Sequence, residues 1–289
     1  MDLVTVGIIA AILVAVLDTL VFVRQGPSIA RFFYMLTPFG RLRTLYKDLA
    51  KITPGMQVGY ATRVLGEPEL KNMKGGYQEF VYDKKDCYVQ VVTGESDAIL
   101  LLSVTARNSR FHAPTWVTTA RWSPRPDPKN SHLGHFRFDQ IASADRPPWG
   151  VSGWCGARRF GYIESYYYGN PGNYETFLLA LNDAGHVWDI DSLGQVSSLF
   201  LKPVEHGNLL WIDRRPRPIN VRKPKEPPNQ GEAIHEFLAR PDTQTWRRMK
   251  PNTYAVTAPN VFIADLLHDG FSVGPDSDQV RLLPSFGKS

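Results

Sequence analysis

Residues 3–23 (LVTVGIIAAILVAVLDTLVFV) hold a single charge, Asp18, and no other stretch restricts the chain's options so far. A hydrocarbon core about 30 Å thick needs about 20 residues at helical rise, so the run predicts a membrane-spanning helix. A cleaved leader would place a basic region before a shorter apolar core and small residues at a cleavage site. Here Asp2 precedes the run and Phe22-Val23-Arg24-Gln25 follows it, which favours an anchor. Asp18 lies toward the end of the span, where a carboxylate costs less than the roughly 2.5–3.5 kcal/mol it would cost at mid-bilayer.

The flanks give the orientation. Arg24, Arg31, Arg41, Arg43, Lys47 and Lys51 follow the span against one acid, Asp48. Lys and Arg within about 15–20 residues of a span stay on the cytoplasmic side, so the expectation is a single-pass protein of the bacterial inner membrane with its remaining mass in the cytoplasm. The same six bases are the candidates for contact with an anionic leaflet. Gly7, Ala10, Ala11 and Ala15 lie at i, i+3, i+4 and i+8 within the span, one face of small residues suited to close helix association and hence to a homo-oligomer. The net charge of +5 is largely accounted for by the juxtamembrane bases and by residues 214–225, so it points to a lipid surface before nucleic acid. Cys87 and Cys155 are the only cysteines, with no CxxC, which suits reduced thiols.

Residues 41–52 (RLRTLYKDLAKI) place Leu42, Leu45, Leu49 and Ile52 at i, i+3, i+7 and i+10 with bases opposite. This is an amphipathic helix whose apolar stripe can serve either the protein's own sheet or an acidic leaflet. A short helix follows through Val58, Ala61, Val64 and Leu65 and stops at Gly66-Glu67-Pro68, where Gly permits positive φ and Pro forbids continuation. Three strands are predicted over residues 77–82, 88–92 and 99–105, separated by Asp83-Lys84-Lys85-Asp86 and Gly94-Glu95-Ser96-Asp97.

The order Ile52, Gly55-Met56, Val58, Leu65-Gly66-Glu67-Pro68, then Glu79 to Tyr82 and Val89 to Val91 resembles the small SmpA/OmlA (BamE-type) module of outer-membrane assembly lipoproteins, over about residues 52–105. That resemblance implies a helical hairpin on a three-stranded antiparallel sheet and supplies no activity. The anchor, this module, Gly169-Asn170-Pro171-Gly172-Asn173-Tyr174-Glu175-Thr176, Pro251-Asn252-Thr253-Tyr254 and Ala258-Pro259-Asn260 together are similar to a group of bacterial single-pass membrane proteins, which supplies no catalytic residues either.

Residues 107–148 are proline-rich and irregular, with Trp116, Trp122, Phe136, Phe138 and nearby Trp149 expected to pin the excursion to a core. Residues 160–168, 174–182 and 186–190 read as an antiparallel meander. Residues 213–230 are a basic, proline-rich connector. Residues 231–239, 244–249 and 260–268 read as helices and 254–256 as extended chain, with His235 and His268 on or beside apolar helical faces. The predicted class is therefore α+β and β-rich, in six parts: an anchor (1–24), a basic juxtamembrane segment (25–51), the helix-plus-sheet module (52–107), a β-rich region (108–212), the connector (213–230) and a C-terminal α/β segment (231–289).

Chemistry has few candidates. His132 and His135 are the one close histidine pair, but the intervening Gly134 and the lack of a partner ligand argue against a metal there. Trp154-Cys155-Gly156-Ala157 resembles a thioredoxin entry except that Arg158 stands where the second thiol belongs. His186 and Asp189 would face opposite sides of a strand. There is no phosphate-binding glycine loop, nucleophile elbow or HExxH, so neither cofactor nor metal is expected and enzyme chemistry is not favoured. The reading is a membrane-tethered, non-enzymatic scaffold or sensor that presents a protein-binding module at the inner leaflet. The alternative is a membrane-active effector that oligomerises through its span and disturbs the bilayer.

Overall fold

The computed structural model describes residues 37–113, 132–141, 148, 150–155, 160–170, 173–188, 212–213, 238–239, 241–259, 261, 263–268 and 271–283. The apolar run 3–23 with Gly7, Ala10, Ala11 and Ala15, the bases Arg24 and Arg31, and the connector beyond Asp213 lie outside them. Among the described residues no helix is long and apolar enough to cross a membrane. The chain divides into two compact units, residues 1–47 and 48–289.

The second unit is α+β and built on an antiparallel sheet. Its strands are β1 (Leu70–Lys74), β2 (Tyr77–Asp83), β3 (Cys87–Thr93), β4 (Ile99–Ala106), β5 (Gly150–Cys155), β6 (Phe160–Asn170), β7 (Asn173–Asn182), β8 (Ile212–Asp213) and β9 (Thr253–Thr257). They pair in the order β1-β2-β3-β4-β9-β7-β6-β5-β8, every neighbour antiparallel. The last described strand thus joins the two halves of the sheet, and residues 52–107, 108–212 and 231–289, three parts in the sequence, share it.

The turns explain why the strands form where they do. Between β2 and β3, and between β3 and β4, Lys85 (φ 57°) and Asp97 (φ 56°) take the left-handed conformation that polar turn residues tolerate. Three strands were not anticipated, among them the two-residue β8, which falls where the sequence reading ended the β-rich region and began the connector. β1 is a short polar edge whose residues alternate between half-buried and exposed, so it carries no apolar pattern. β5 has two glycines in six residues, which weakens any strand propensity. Conversely, His186 to Trp188 do not continue the meander: they follow a turn, and the His186 N–H is donated to Ala106 O at 2.7 Å.

Register assigns the faces. Val81, Gln90, Ser103, Ala255, Leu178 and Ser165 stand in line across β2, β3, β4, β9, β7 and β6. On that face Val92, Leu101, Ile163, Leu178 and Ala180 pack with Ile263, Leu266 and Leu267 of a helix at Ile263–His268 and with Phe271 and Val273 beyond it. The opposite face carries Phe80, Val91, Leu102, Val256, Phe177 and Tyr166. There Tyr82 hydroxyl bonds Thr62 hydroxyl at 3.0 Å, from a helix at Val58–Leu65, and Trp246, from a helix at Pro241–Arg247, stacks on Tyr162 at 5.9 Å and 3°. With both faces covered, every residue of β3 is buried, so its polar Gln90 cannot point to water.

Side chains bind the C-terminal segment 271–283 through its backbone. The Gln90 amide donates to Ser272 O at 3.2 Å and accepts the Gly274 N–H at 2.9 Å, and Asn182 Nδ2 donates to Val273 O at 2.9 Å. A short helix at Ser277–Val280 follows, with Asp276 capping its N-terminus by accepting the Asp278 N–H. Val280 and Leu283 complete a second cluster with Val81 and Tyr88.

The helix at Val58–Leu65 ends as predicted, at a glycine with positive φ: Gly66 has φ 85° and ψ −172°. An added Cβ would meet nothing nearer than Lys84 Nζ at 3.8 Å, so a substitution there is opposed by backbone conformation alone. Gly66→Ala is expected to cost about 1–3 kcal/mol with secondary structure unchanged. Chemical denaturation of the variant checks this; a loss near zero would mean the chain turns here without strain.

Candidate functional site

The surface with the clearest chemical character is one face of the first described helix, α1 (Pro38–Leu49). Thr37 starts it: its Oγ1 accepts the Gly40 N–H at 3.1 Å, and Pro38 occupies the first turn, where a missing N–H costs nothing. Lys47 sits in the last turn, where a cation suits the helix dipole. Leu45, Leu49 and, just past the helix, Ile52 are buried and Leu42 is half-buried, so the apolar stripe is already occupied.

The other face is open. Phe39 is 81% exposed, and Arg43 and Lys47 are exposed. They stand at i, i+4 and i+8, one line along the helix. Arg41 is half-buried, and Lys51 pairs with Asp48 at 2.7 Å on the surface, an exposed ion pair that adds little. Of the six bases expected at a membrane, Arg41, Arg43, Lys47 and Lys51 are therefore described, and Arg43 and Lys47 share the exposed line with Phe39. An aromatic ring beside two cations suits a layer of anionic headgroups above apolar chains.

The sheet holds a second polar centre that sequence reading missed. Glu164 on β6 is fully buried and takes Tyr162 hydroxyl at 2.6 Å and Arg247 Nε at 2.8 Å on Oε1, with Tyr166 hydroxyl donating to Oε2. Burial pushes its carboxyl up, against the pull of Arg247 and of the two hydroxyls. Burial, then Glu164 itself, drives the Tyr166 hydroxyl well above its usual range, so it stays a donor. Three donors converging on one carboxylate is the arrangement of an ionised group, and Glu164 with Arg247 forms a structural node. A signal existed in residues 162–166 (YIESY), where a lone acid shares its face with aromatics at i−2 and i+2.

The remaining candidates fall in three places. Cys87 is a free, buried thiol whose pKa burial raises well above its usual value, so it is inert. His132 and His135 lie together in a loop that also meets His112 and Trp188. Asp189 and His235 lie outside the described residues. Phe136 and Phe138 are buried as expected, Phe138 edge-on to Tyr162 at 5.0 Å.

No protein-family model and no curated protein matches the chain. Among solved structures, a cysteine-rich secretory protein of Staphylococcus aureus aligns with 44% of this chain and 39% of its own, at 13% identity and a TM-score of 0.27. A likeness that low transfers neither a fold nor a role.

Proposed function

We propose that this chain is a membrane-tethered scaffold or sensor. Residues 3–23 anchor it, the mass beyond them is cytoplasmic, and the α+β body offers a protein-binding surface at the inner leaflet. The observation that carries the membrane part is the line of Phe39, Arg43 and Lys47, exposed while Leu45 and Leu49 are buried. A helix that had only to pack on protein has no use for a bare phenylalanine in line with its bases. Each base near an acidic leaflet contributes about 1 kcal/mol within a Debye length of about 8 Å, enough in sum to hold the helix to a surface beside its anchor. The surface offered to a partner is the terminal strand β1, where Met73 is 76% exposed. Extended segments add to such edges through main-chain hydrogen bonds.

The test uses the full chain with a reporter after Ser289. The reporter is expected to be active without export, and the detergent-solubilised protein to co-purify a specific partner that Met73→Asp releases at unchanged melting temperature. A reporter active only after export would overturn the cytoplasmic placement, and a partner set indifferent to Met73→Asp would overturn the edge. Collapse of the membrane potential on induction would favour the effector reading instead.

A further inference from the structure

The sequence His132-Leu133-Gly134-His135 folds into a turn that packs against two other segments. Leu133 is buried and donates its N–H to Ala113 O at 3.0 Å, and the His135 N–H closes the turn on His132 O at 3.0 Å. Gly134 has φ +78°, and a Cβ there would stand 2.6 Å from the Trp188 ring, so only glycine lets that indole lie against the turn.

Four imidazoles meet around this contact. His112 donates its Nδ1–H to Leu133 O at 2.9 Å, leaving Nε2 as an acceptor while the ring is neutral. His112 lies 4.3 Å from His135 between ring centroids and 5.6 Å from Trp188, while His132 lies 5.8 Å from His135. His186 stands edge-on to Trp188 at 5.4 Å. His132 Nδ1 is buried with no hydrogen-bond partner among the described residues. Among those residues no three side chains are placed to hold a metal ion, so shared coordination does not account for the cluster.

We infer that His112, His132, His135 and His186 form an acid-sensitive clasp. Neutral, they hold loop 132–141 and the turn at 183–188 against segment 107–113; protonated, they repel one another and release the loop. Imidazolium charges at these separations disfavour each other, and among the described residues no carboxylate acts on His132, His135 or His186 to offset them. The nearby charged groups are otherwise engaged or add to the effect. Arg107 Nη1 donates to both Asp83 carboxylate oxygens, Arg137 pairs with Asp139 at 3.0 Å, and Asp183 accepts Ser277 hydroxyl. Arg110 is exposed, and Lys250 acts on His135 in the same sense as the other imidazoles.

The direction of the effect follows from the environment. Burial, and after it the charge on His112, lowers His132, His135 and His186 below the ordinary 6.5. The opened form therefore takes up protons first as the pH falls. The clasp is fully held above about pH 6.5 and weakens as the pH drops from there through the lowered values. This inference is independent of the membrane reading and survives its failure.

Hydrogen exchange on the full-length protein tests it at about pH 7.5 and 5.5, corrected for intrinsic exchange. Amides of residues 132–141 and 183–188 are expected to lose at least about tenfold in protection at the lower pH, with β3 and β4 unchanged. In His135→Phe, which keeps a ring between His112 and His132 but cannot charge, the loss should shrink at least about threefold. Equal protection at both pH values, or an undiminished loss in His135→Phe, would overturn the clasp. Should that variant not fold, the wild-type ring titrations decide: midpoints below 6.5 for His132, His135 and His186 support it, and midpoints at or above 6.5 overturn it.

Discussion

Arg247→Leu is expected to destabilise the sheet by about 3–5 kcal/mol, the cost of stranding a buried charge by removing its partner. Glu164 has no exposed surface and its Oε1 is 2.8 Å from Arg247 Nε, so the guanidinium is the charge that offsets it. The loss should depend on pH in a definite sense. Arg247 is the largest influence pulling the Glu164 carboxyl down against burial, so its removal lets the carboxyl rise further above its ordinary 4.5. A raised value in the folded state means stability that is present below the unfolded value and is lost as the pH climbs through the folded one. The variant should therefore be closer to wild type near pH 5 than near pH 8. Glu164→Gln added to Arg247→Leu should restore part of the loss at neutral pH, because the stranded charge is gone. Urea denaturation of the full chain at both pH values measures this. A cost under about 1 kcal/mol, flat with pH, would show that the carboxylate is hydrated in the folded protein.

Gln90→Leu comes next in size. Its amide uses both donors and both acceptor positions: it gives to Glu79 Oε1 at 2.5 Å and Ser272 O at 3.2 Å, and takes from Ser103 hydroxyl and the Gly274 N–H, each at 2.9 Å. A leucine of similar size leaves those four groups facing carbon. At about 1–3 kcal/mol for each buried group left unsatisfied, and with some relaxation, a total of about 3 kcal/mol or more is expected. The damage should be directional: amides of residues 271–283 should lose protection before those of β3 do, since two of the four bonds hold that segment's backbone. Ser103→Ala, which removes one donor and leaves Gln90 three partners, should cost only about 1 kcal/mol. Equal losses for the two substitutions would mean that Gln90 does not organise the segment.

What could be read from the sequence was whatever rests on near neighbours. Residues 77–83, 87–93 and 99–106 form strands because the turns between them carry their own instructions, Lys85 and Asp97 among them. Gly66 likewise stops its helix by a property of its own backbone. Gln90 and Glu164 gave the opposite outcome. In a strand, a polar residue between apolar ones reads as surface, and it is interior here only because Gly274 lies 184 residues from Gln90 and Arg247 lies 83 residues from Glu164. Distance also hid His112, which lies 23 residues before His135 and meets it only in the fold. On α1 the stripe of Leu42, Leu45 and Leu49 was legible as apolar but silent on its occupant, and burial of Leu45 and Leu49 moves any lipid contact to the opposite face.

The position of β9 bears on how the protein is made. Thr253 hydroxyl bonds Thr105 hydroxyl at 2.9 Å across 148 residues, and Thr257 Oγ1 takes the Thr176 N–H at 3.2 Å across 81. A ribosome has thus released β4 and β7 long before the strand that belongs between them emerges. Until then two apolar strand edges stay open on the nascent chain, each a template for mispairing. Closing such long loops is also slow. A message broken anywhere before the codon for Thr253 would yield a polypeptide that cannot close its sheet and that advertises the fact to chaperones and proteases, so synthesis of this protein carries its own check on completeness.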